Sequence, residues 1–234
     1  MYSSAFCKVY NEFGWNYFPE AFAQQLLEWI RQEHLTVKSC LDLGCGTGVL
    51  CEILHEQGIR CAGMDLSEGM IAIARERNSA IRYEVADMVT YRPQDSFDLV
   101  TCTGDALNHI ANPQDVAQIF RNVYGYLNEG GSFVFDLLNE KEIPSEEPID
   151  LPFSETVTAQ FRITRDDAGR IHLRTTTYEN GALQFEEDII EVLHDIDLIC
   201  RLLEESGFRE IRRSHHLSEQ SAGEATTWYV TARK

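Results

Sequence analysis

The amino-acid sequence predicts an α/β fold: a doubly wound, mostly parallel sheet with helices on both faces. Three observations predict it. Short apolar, strand-like segments alternate with helix-like ones from residue 20 to about 138. The connections between them are short, which is how parallel strands and crossover helices succeed one another. A glycine-rich run, Gly44 to Gly48, follows directly on the first strand, at the end of an open sheet where ligands bind. At 234 residues the chain suffices for one well-buried domain with an elaboration, so residues 1–234 are read as a single domain.

Each element has its own signal. Phe22, Leu26, Trp29 and Ile30 recur at helical spacing, giving an amphipathic helix over 20–34. Ser39 to Leu43 is the first strand, and Leu50, Ile53 and Leu54 mark the helix after the glycines. Ile59 to Met64 is the second strand, and Ser67 caps a helix carrying Met70, Ile71 and Ala74. Ile81 to Ala86 and Phe97 to Thr103 are the third and fourth strands. Asn112-Pro113 opens a helix to about Leu127, which Asn128 to Gly131 stops before the fifth strand, Ser132 to Leu138.

After Asn139 the pattern changes. Residues 139–152 carry three prolines and several acids, and read as a linker. Val157, Ala159, Phe161 and Ile163 then alternate with polar residues, Asp166 to Gly169 reads as a hairpin turn, and Asn180-Gly181 is a type I′ signal. Residues 155–191 are therefore an inserted three-stranded antiparallel meander. Its apolar face must be buried, either over the cleft or against a second subunit, a homodimer. Asp195 to Ser206 is a helix closed by Gly207, and Phe208 to Arg212 and Thr226 to Ala232 are the last strands.

The composition excludes several classes. A formal net charge of −18 with no basic run opposes nucleic acid, because phosphate contacts need clustered Lys and Arg. No apolar run approaches a membrane span, and the first residues lack the basic and apolar regions of a signal peptide. Seven cysteines, at 7, 40, 45, 51, 61, 102 and 200, make no CxxC pair and no zinc spacing. A reducing cytoplasm, no metal and no membrane partner are the expectations.

The strongest chemical signal is Leu41-Asp-Leu-Gly-Cys-Gly-Thr-Gly48. A dinucleotide loop reads GxGxxG and faces a pyrophosphate with backbone amides. Here the third glycine comes one position early, and Asp42 precedes the first glycine by two residues. A carboxylate there repels pyrophosphate and suits an ammonium group, such as the one on the methionine end of S-adenosylmethionine (SAM). An NAD-dependent oxidoreductase conflicts with both features.

With this octet the sequence resembles the class I SAM-dependent methyltransferases, whose motif I it nearly matches. Gly63-Met-Asp65-Leu66-Ser67 places an acid 19 positions after Gly46, where the resemblance implies ribose recognition; a turn or cap role is the alternative. Glu84-Val-Ala-Asp87-Met88 ends the third strand, where the family's Asp meets the adenine amino group and the next amide a ring nitrogen. Phe97 to Thr103 resembles motif IV, and Leu127 to Phe135 the helix-to-strand corner. The resemblance implies a seven-stranded Rossmann-like sheet. It also implies a cofactor set of Tyr10, Asp42, Gly44, Cys45, Gly46, Thr47, Gly48, Asp65, Leu66, Met70, Asp87, Met88 and Thr103, with S-adenosylhomocysteine as product.

Small bacterial-type members with an antiparallel insertion after the fifth strand are the closest in pattern. They share an F-x-x-x-Y-[DN] element, here Phe6 to Asn11, and a D-x-x-N-Y stretch, here Asp105 to His109, with His109 in place of the tyrosine. Residues 1–34 are read as an N-terminal helical lid rich in aromatics (Tyr2, Phe6, Tyr10, Phe13, Trp15, Tyr17, Phe18), with packing on the sheet edge as the alternative. The acceptor candidates are Tyr17, Asp105, Asn108 and His109. His109 is the candidate general base, since imidazole titrates near neutrality; a shaping role is its alternative. No Pro-Cys pair suits cytosine chemistry, and no [DN]-P-P-[YFW] follows the fourth strand. The expected activity is methyl transfer to an N or O atom of a small molecule. A SAM-binding protein without catalysis is the second reading.

Overall fold

Strand β1, Ser39–Leu43, is buried at every position, as a central parallel strand covered on both faces requires. The computed structural model describes residues 3, 6, 7, 10, 11, 16–138, 149–152, 156–217 and 227–234. Before β1 runs helix α1, Tyr17–Gln32; after it come α2, Val49–Glu56, β2, Arg60–Asp65, α3, Glu68–Arg77, and β3, Arg82–Val85. Next follow β4, Phe97–Cys102, a 3₁₀ turn at Ala106–His109, α4, Pro113–Tyr126, and β5, Leu127–Leu138. Strands β6, Ile149–Pro152, β7, Val157–Arg165, β8, Ile171–Glu179, and β9, Ala182–Glu191, form the insertion. Helix α5, Ile196–Glu205, and strands β10, Arg209–Ser214, and β11, Thr227–Arg233, close the chain.

The main sheet has seven strands in the order β10-β11-β5-β4-β1-β2-β3. β1 pairs in parallel with β2 and β4, setting Leu41 opposite Ala62 and Val100. β11 runs antiparallel to β5 and β10. Strand side chains alternate between faces, so each strand feeds two cores. Leu41, Leu43, Val100, Phe133 and Phe135 pack with Ile119, Phe120, Ile199 and Leu203 of α4 and α5. Cys40, Cys61, Leu99 and Val134 pack on the other face with Phe22 and Leu26 of α1, Leu50 and Leu54 of α2, and Ile71 and Ala74 of α3.

The helix starts follow from their caps. The Ser67 hydroxyl accepts from the Met70 amide at 3.3 Å, and the Asn112 side chain from the Gln114 amide at 3.0 Å, with Pro113 in the first turn. Asp195 caps α5 through the Asp197 amide. The helix expected from residue 20 begins at Tyr17, because nothing in its first turn forbids helical backbone.

The linker reading is corrected in one place. Beside the three strands expected over 155–191, Ile149–Pro152 of the supposed linker pairs antiparallel with β7 and makes a fourth, in the order β6-β7-β8-β9. Pro152 ends that strand at the sheet edge, where a missing amide costs no ladder bond. The meander itself lies as read, with Asn180 and Gly181 both at positive φ, 51° and 75°, in the β8–β9 turn. Residues 139–148, and Tyr2, Phe13 and Trp15 of the aromatic N-terminus, lie outside the described residues.

Candidate active site

A cavity of about 750 Å³ opens at the carboxyl ends of β1, β2 and β4. Its floor is the glycine loop. Gly44 and Cys45 both donate their amides to the Met64 carbonyl, at 2.8 and 2.9 Å, which seats the loop on β2. The seat requires Gly63: a Cβ there would lie 2.8 Å from the Cys45 sulfur and 2.9 Å from the Tyr83 ring. Gly46, at φ 52°, has nothing within 4 Å of where a Cβ would be, so its backbone faces open space a ligand can enter. Gly48, at φ 79°, turns away from the cavity and starts α2, with the Tyr83 hydroxyl 2.5 Å from its missing Cβ.

The acids of the floor are individually held. Asp42 is buried; its Oδ1 accepts the Thr101 hydroxyl at 2.7 Å, and Oδ2 faces the Cys51 thiol at 3.9 Å. Burial pushes its carboxyl up to about 7. Asp65 accepts the Gly46 amide on Oδ2 at 3.0 Å and the Ser67 amide on Oδ1 at 2.8 Å. Burial raises its pKa, and these amide donors oppose that shift. Asp87 takes the Val89 amide on Oδ1 at 2.9 Å. Tyr10, Asp42, Gly44, Cys45, Gly46, Thr47, Asp65, Leu66, Met70, Asp87, Met88 and Thr103 all line the cavity. Of the expected cofactor set, Gly48 alone stands behind the wall rather than in it.

The N-terminal residues reach the same space. The Thr47 hydroxyl donates to Asn11 Oδ1 at 2.9 Å, tying the glycine loop to the residue after Tyr10. Phe6 and Cys7 are buried with Met70 of α3 and Ile189 of β9. The Ser3 amide donates to Glu187 Oε1 at 3.0 Å.

Beyond β4 the backbone turns at Gly104 and Asp105, both at positive φ. Their amides donate to the two oxygens of the fully buried Asp136, each at 2.9 Å. Burial, reinforced by the neighbouring Asp105, raises the Asp136 pKa, and burial holds Asp105 at about 6. Asp105 and His109 line the cavity.

Asn108 and Tyr17 are not brought to it. Asn108 is fully buried; its Nδ2 donates to the Val192 carbonyl at 2.7 Å, while its Oδ1 accepts the Leu138 amide at 3.2 Å. It fastens the insertion to β5. Tyr17 begins α1 on the solvent side and is 75% exposed.

The roof is the insertion, of whose lining residues the sequence singled out only Ile163. Ile163, Ile171, Leu173, Ile189 and Glu191 of the insertion line the cavity opposite the glycine loop. His109 Nδ1 lies 3.3 Å from the Ile190 carbonyl. A carbonyl only accepts, so Nδ1 carries the proton in the neutral ring and Nε2 presents its lone pair. Glu191 Oε1 lies 3.9 Å from that Nε2, with 12% of its side chain exposed. Burial lowers the His109 pKa and, with Asp105 nearby, pushes Glu191 up to about 8. The signal for Glu191 in the sequence was only its place in an alternating strand.

Fold and site together resemble those of the class I SAM-dependent methyltransferases, enzymes whose cofactor is SAM. Residues 40–131, from β1 into β5, match the methyltransferase domain family. The chain is 28% identical to a Geobacillus sp. (strain WCH70) protein that bears a methyltransferase name, over 94% of this chain and 92% of that one. Among solved structures it is similar to a SAM-dependent methyltransferase from Clostridium acetobutylicum ATCC 824, with a TM-score of 0.78, 21% identity and coverage of 90% and 89% of the two chains. It is also similar to SAM-bound CalS10, an amino pentose methyltransferase from Micromonospora echinaspora, at TM-score 0.79 and 20% identity, covering 100% and 98%.

Proposed function

We propose that the chain moves the methyl group of SAM to an N or O atom of a small-molecule acceptor bound between the glycine loop and the insertion. The observation that carries this is the cavity itself. One continuous space joins the floor acids Asp42, Asp65 and Asp87 to the apolar roof of Ile163, Ile171 and Leu173. Such a space, largely apolar with a few convergent polar groups, suits a small ligand.

In this reading the cofactor lies along the floor. Asp42 meets its ammonium, the remaining lone pairs of Asp65 its ribose hydroxyls, and Asp87 with the Met88 amide its adenine. The open space at Gly46 admits its backbone-close portion. When bound, SAM supplies an already activated methyl group, so the protein's work is to orient the acceptor and exclude water. Tyr10 and the roof strands close the cavity over the reacting atoms, and His109 stands at the acceptor end as candidate base. Support for a small acceptor comes also from similar proteins whose names include a sugar N-methyltransferase, KedS8, and a ubiquinone biosynthesis O-methyltransferase. The latter match spans about half of each chain, 48% and 49%.

The same reading carries a cytoplasmic setting without nucleic-acid or membrane partners, supported by the net charge of −18 and by the lack, among the described residues, of any helix long and apolar enough to cross a membrane. With the apolar face of the insertion turned to the cleft, a homodimer through that sheet is the lesser use of it. The test is calorimetry with SAM, S-adenosylhomocysteine and NAD. Binding of the first two and not the third is expected; NAD binding alone would overturn the reading. Cofactor binding without methyl release to any acceptor would favour a binding protein without catalysis.

A further inference from the structure

We propose that Glu191 is the docking carboxylate for a protonated amine on the acceptor, so that the cleft takes amines in preference to alcohols, phenols and acids of the same size. This rests on the methyl-transfer reading above and narrows it.

The charges around the cleft point one way. Among the described residues that line it, no Lys or Arg occurs, while Asp42, Asp65, Asp87, Asp105, Glu187, Glu191 and Asp188, which pairs with His172, do. Most of these acids are already engaged. Asp42 takes the Thr101 hydroxyl, Asp65 two backbone amides, Asp87 the Val89 amide and Glu187 the Ser3 amide. The side-chain carboxyls of Asp105 and Glu191 accept no hydrogen bond from any described donor, and both belong to the acceptor end. A carboxylate withdrawn from water without a partner is costly unless it is neutral or a cation meets it. The rise in the Glu191 pKa is the mark of that unmet charge.

Position separates Glu191 from Asp105. Glu191 ends an apolar roof, one pleat beyond Ile189 on the same face of β9. The next residue is clamped: the Val192 amide donates to the Asn108 carbonyl at 2.8 Å, and its carbonyl accepts the Asn108 side chain. Strand and carboxylate are thereby fixed against the 3₁₀ turn that carries His109. Among the described residues no cation explains an acid at this point, since His109, its neighbour at 3.9 Å, is held toward its neutral form.

The pair has complementary work. The Glu191 carboxylate accepts an N–H of the incoming ammonium, and His109 Nε2 takes one proton from the same nitrogen. The freed lone pair forms the N–C bond to the methyl carbon while the C–S bond breaks, its electrons staying on sulfur. The methylated amine leaves as an ammonium, and His109 returns its proton to water. Net, one ammonium and SAM give a methylated ammonium, S-adenosylhomocysteine and a proton. A neutral alcohol gains no ion pair at Glu191, and a carboxylate acceptor meets repulsion.

The test is a size-matched panel of amines, alcohols, phenols and carboxylates, read as S-adenosylhomocysteine release by the full chain. Release with amines is expected. Glu191→Gln should raise KM for the best amine by about 10- to 100-fold, the scale of one lost hydrogen bond to a charged group, with SAM affinity unchanged; Glu191→Asp should recover part of it. Release with alcohols, phenols or carboxylates instead, no release with any member while S-adenosylhomocysteine still binds, or an unchanged KM in a folded Glu191→Gln would overturn the proposal. Should Glu191→Gln not fold, the amine preference of the native chain still decides. Failure of S-adenosylhomocysteine to bind at all would remove the methyl-transfer reading itself.

Discussion

The backbone amide of Gly46 donates to Oδ2 of Asp65 at 3.0 Å, so the acid at the end of β2 holds the glycine loop as well as facing the cavity. Its other oxygen holds the Ser67 amide that leads into α3. Asp65→Ala should therefore weaken SAM binding by about 1–3 kcal/mol and lower the melting temperature together, because two amides lose an ionised acceptor. Calorimetry and thermal unfolding on the same samples check this. A folded Asp65→Ala with native SAM affinity would remove Asp65 from the cofactor site.

Asp42 gives a pH dependence with a defined sign. Burial lifts its carboxyl from the ordinary 3.8 to about 7, so the folded, unliganded protein binds a proton that the unfolded chain releases earlier. Stability from this group is present below the ordinary value and is lost as pH rises through about 7. Denaturation between about pH 4 and about pH 8 should show that decline, and Asp42→Asn should flatten it. S-adenosylhomocysteine affinity should run the other way, rising as Asp42 ionises to meet the ammonium. A slope identical in Asp42→Asn would assign the titration elsewhere.

Asn108, itself fully buried, makes part-buried side-chain bonds to Val192 and Leu138. Asn108→Ala should cost about 1–3 kcal/mol, since a part-buried carbonyl and a part-buried amide lose their partners. Urea unfolding measures it. An effect below ~0.5 kcal/mol, the level of an ordinary surface change, would mean that the Asn108 side chain does not hold the insertion.

The bond from the Thr47 hydroxyl to Asn11 couples the glycine loop to the N-terminal segment. Thr47→Val and Asn11→Ala should be non-additive in stability or cofactor affinity, with a coupling of about 0.5–1.5 kcal/mol. Additive single effects would show that the contact does not persist in solution. If Tyr10 closes over the cofactor, S-adenosylhomocysteine should also slow amide exchange at Cys7 more in the native chain than in Asn11→Ala.

Much of this was readable from local signals. The octet Leu41 to Gly48 located the loop, Ser67 and Asn112 located two helix starts, and Asn180-Gly181 located a hairpin, because each acts within a few residues. Glu191 was not readable. It reaches His109 only because β9 folds back over a turn some 80 residues earlier, the separation of the neighbouring His109–Ile190 contact being 81. The buried role of Asn108 was hidden for the same reason: its partner Val192 lies 84 positions away. Strand β6 was hidden by the prolines of residues 139–152, since a proline suits an edge as well as a linker.

The two halves of the cleft come from different stretches of chain. The floor acids lie between Asp42 and Asp87, within the main sheet, whereas the roof lies between Ile163 and Glu191, in a sheet hydrogen-bonded only to itself among the described strands. Roof residues can therefore be exchanged without breaking a ladder of the floor. The insertion is a cassette: grafting it between proteins of this fold should carry acceptor choice with it and leave the methyl donor unchanged, provided that the Asn108 clasp at its exit travels too.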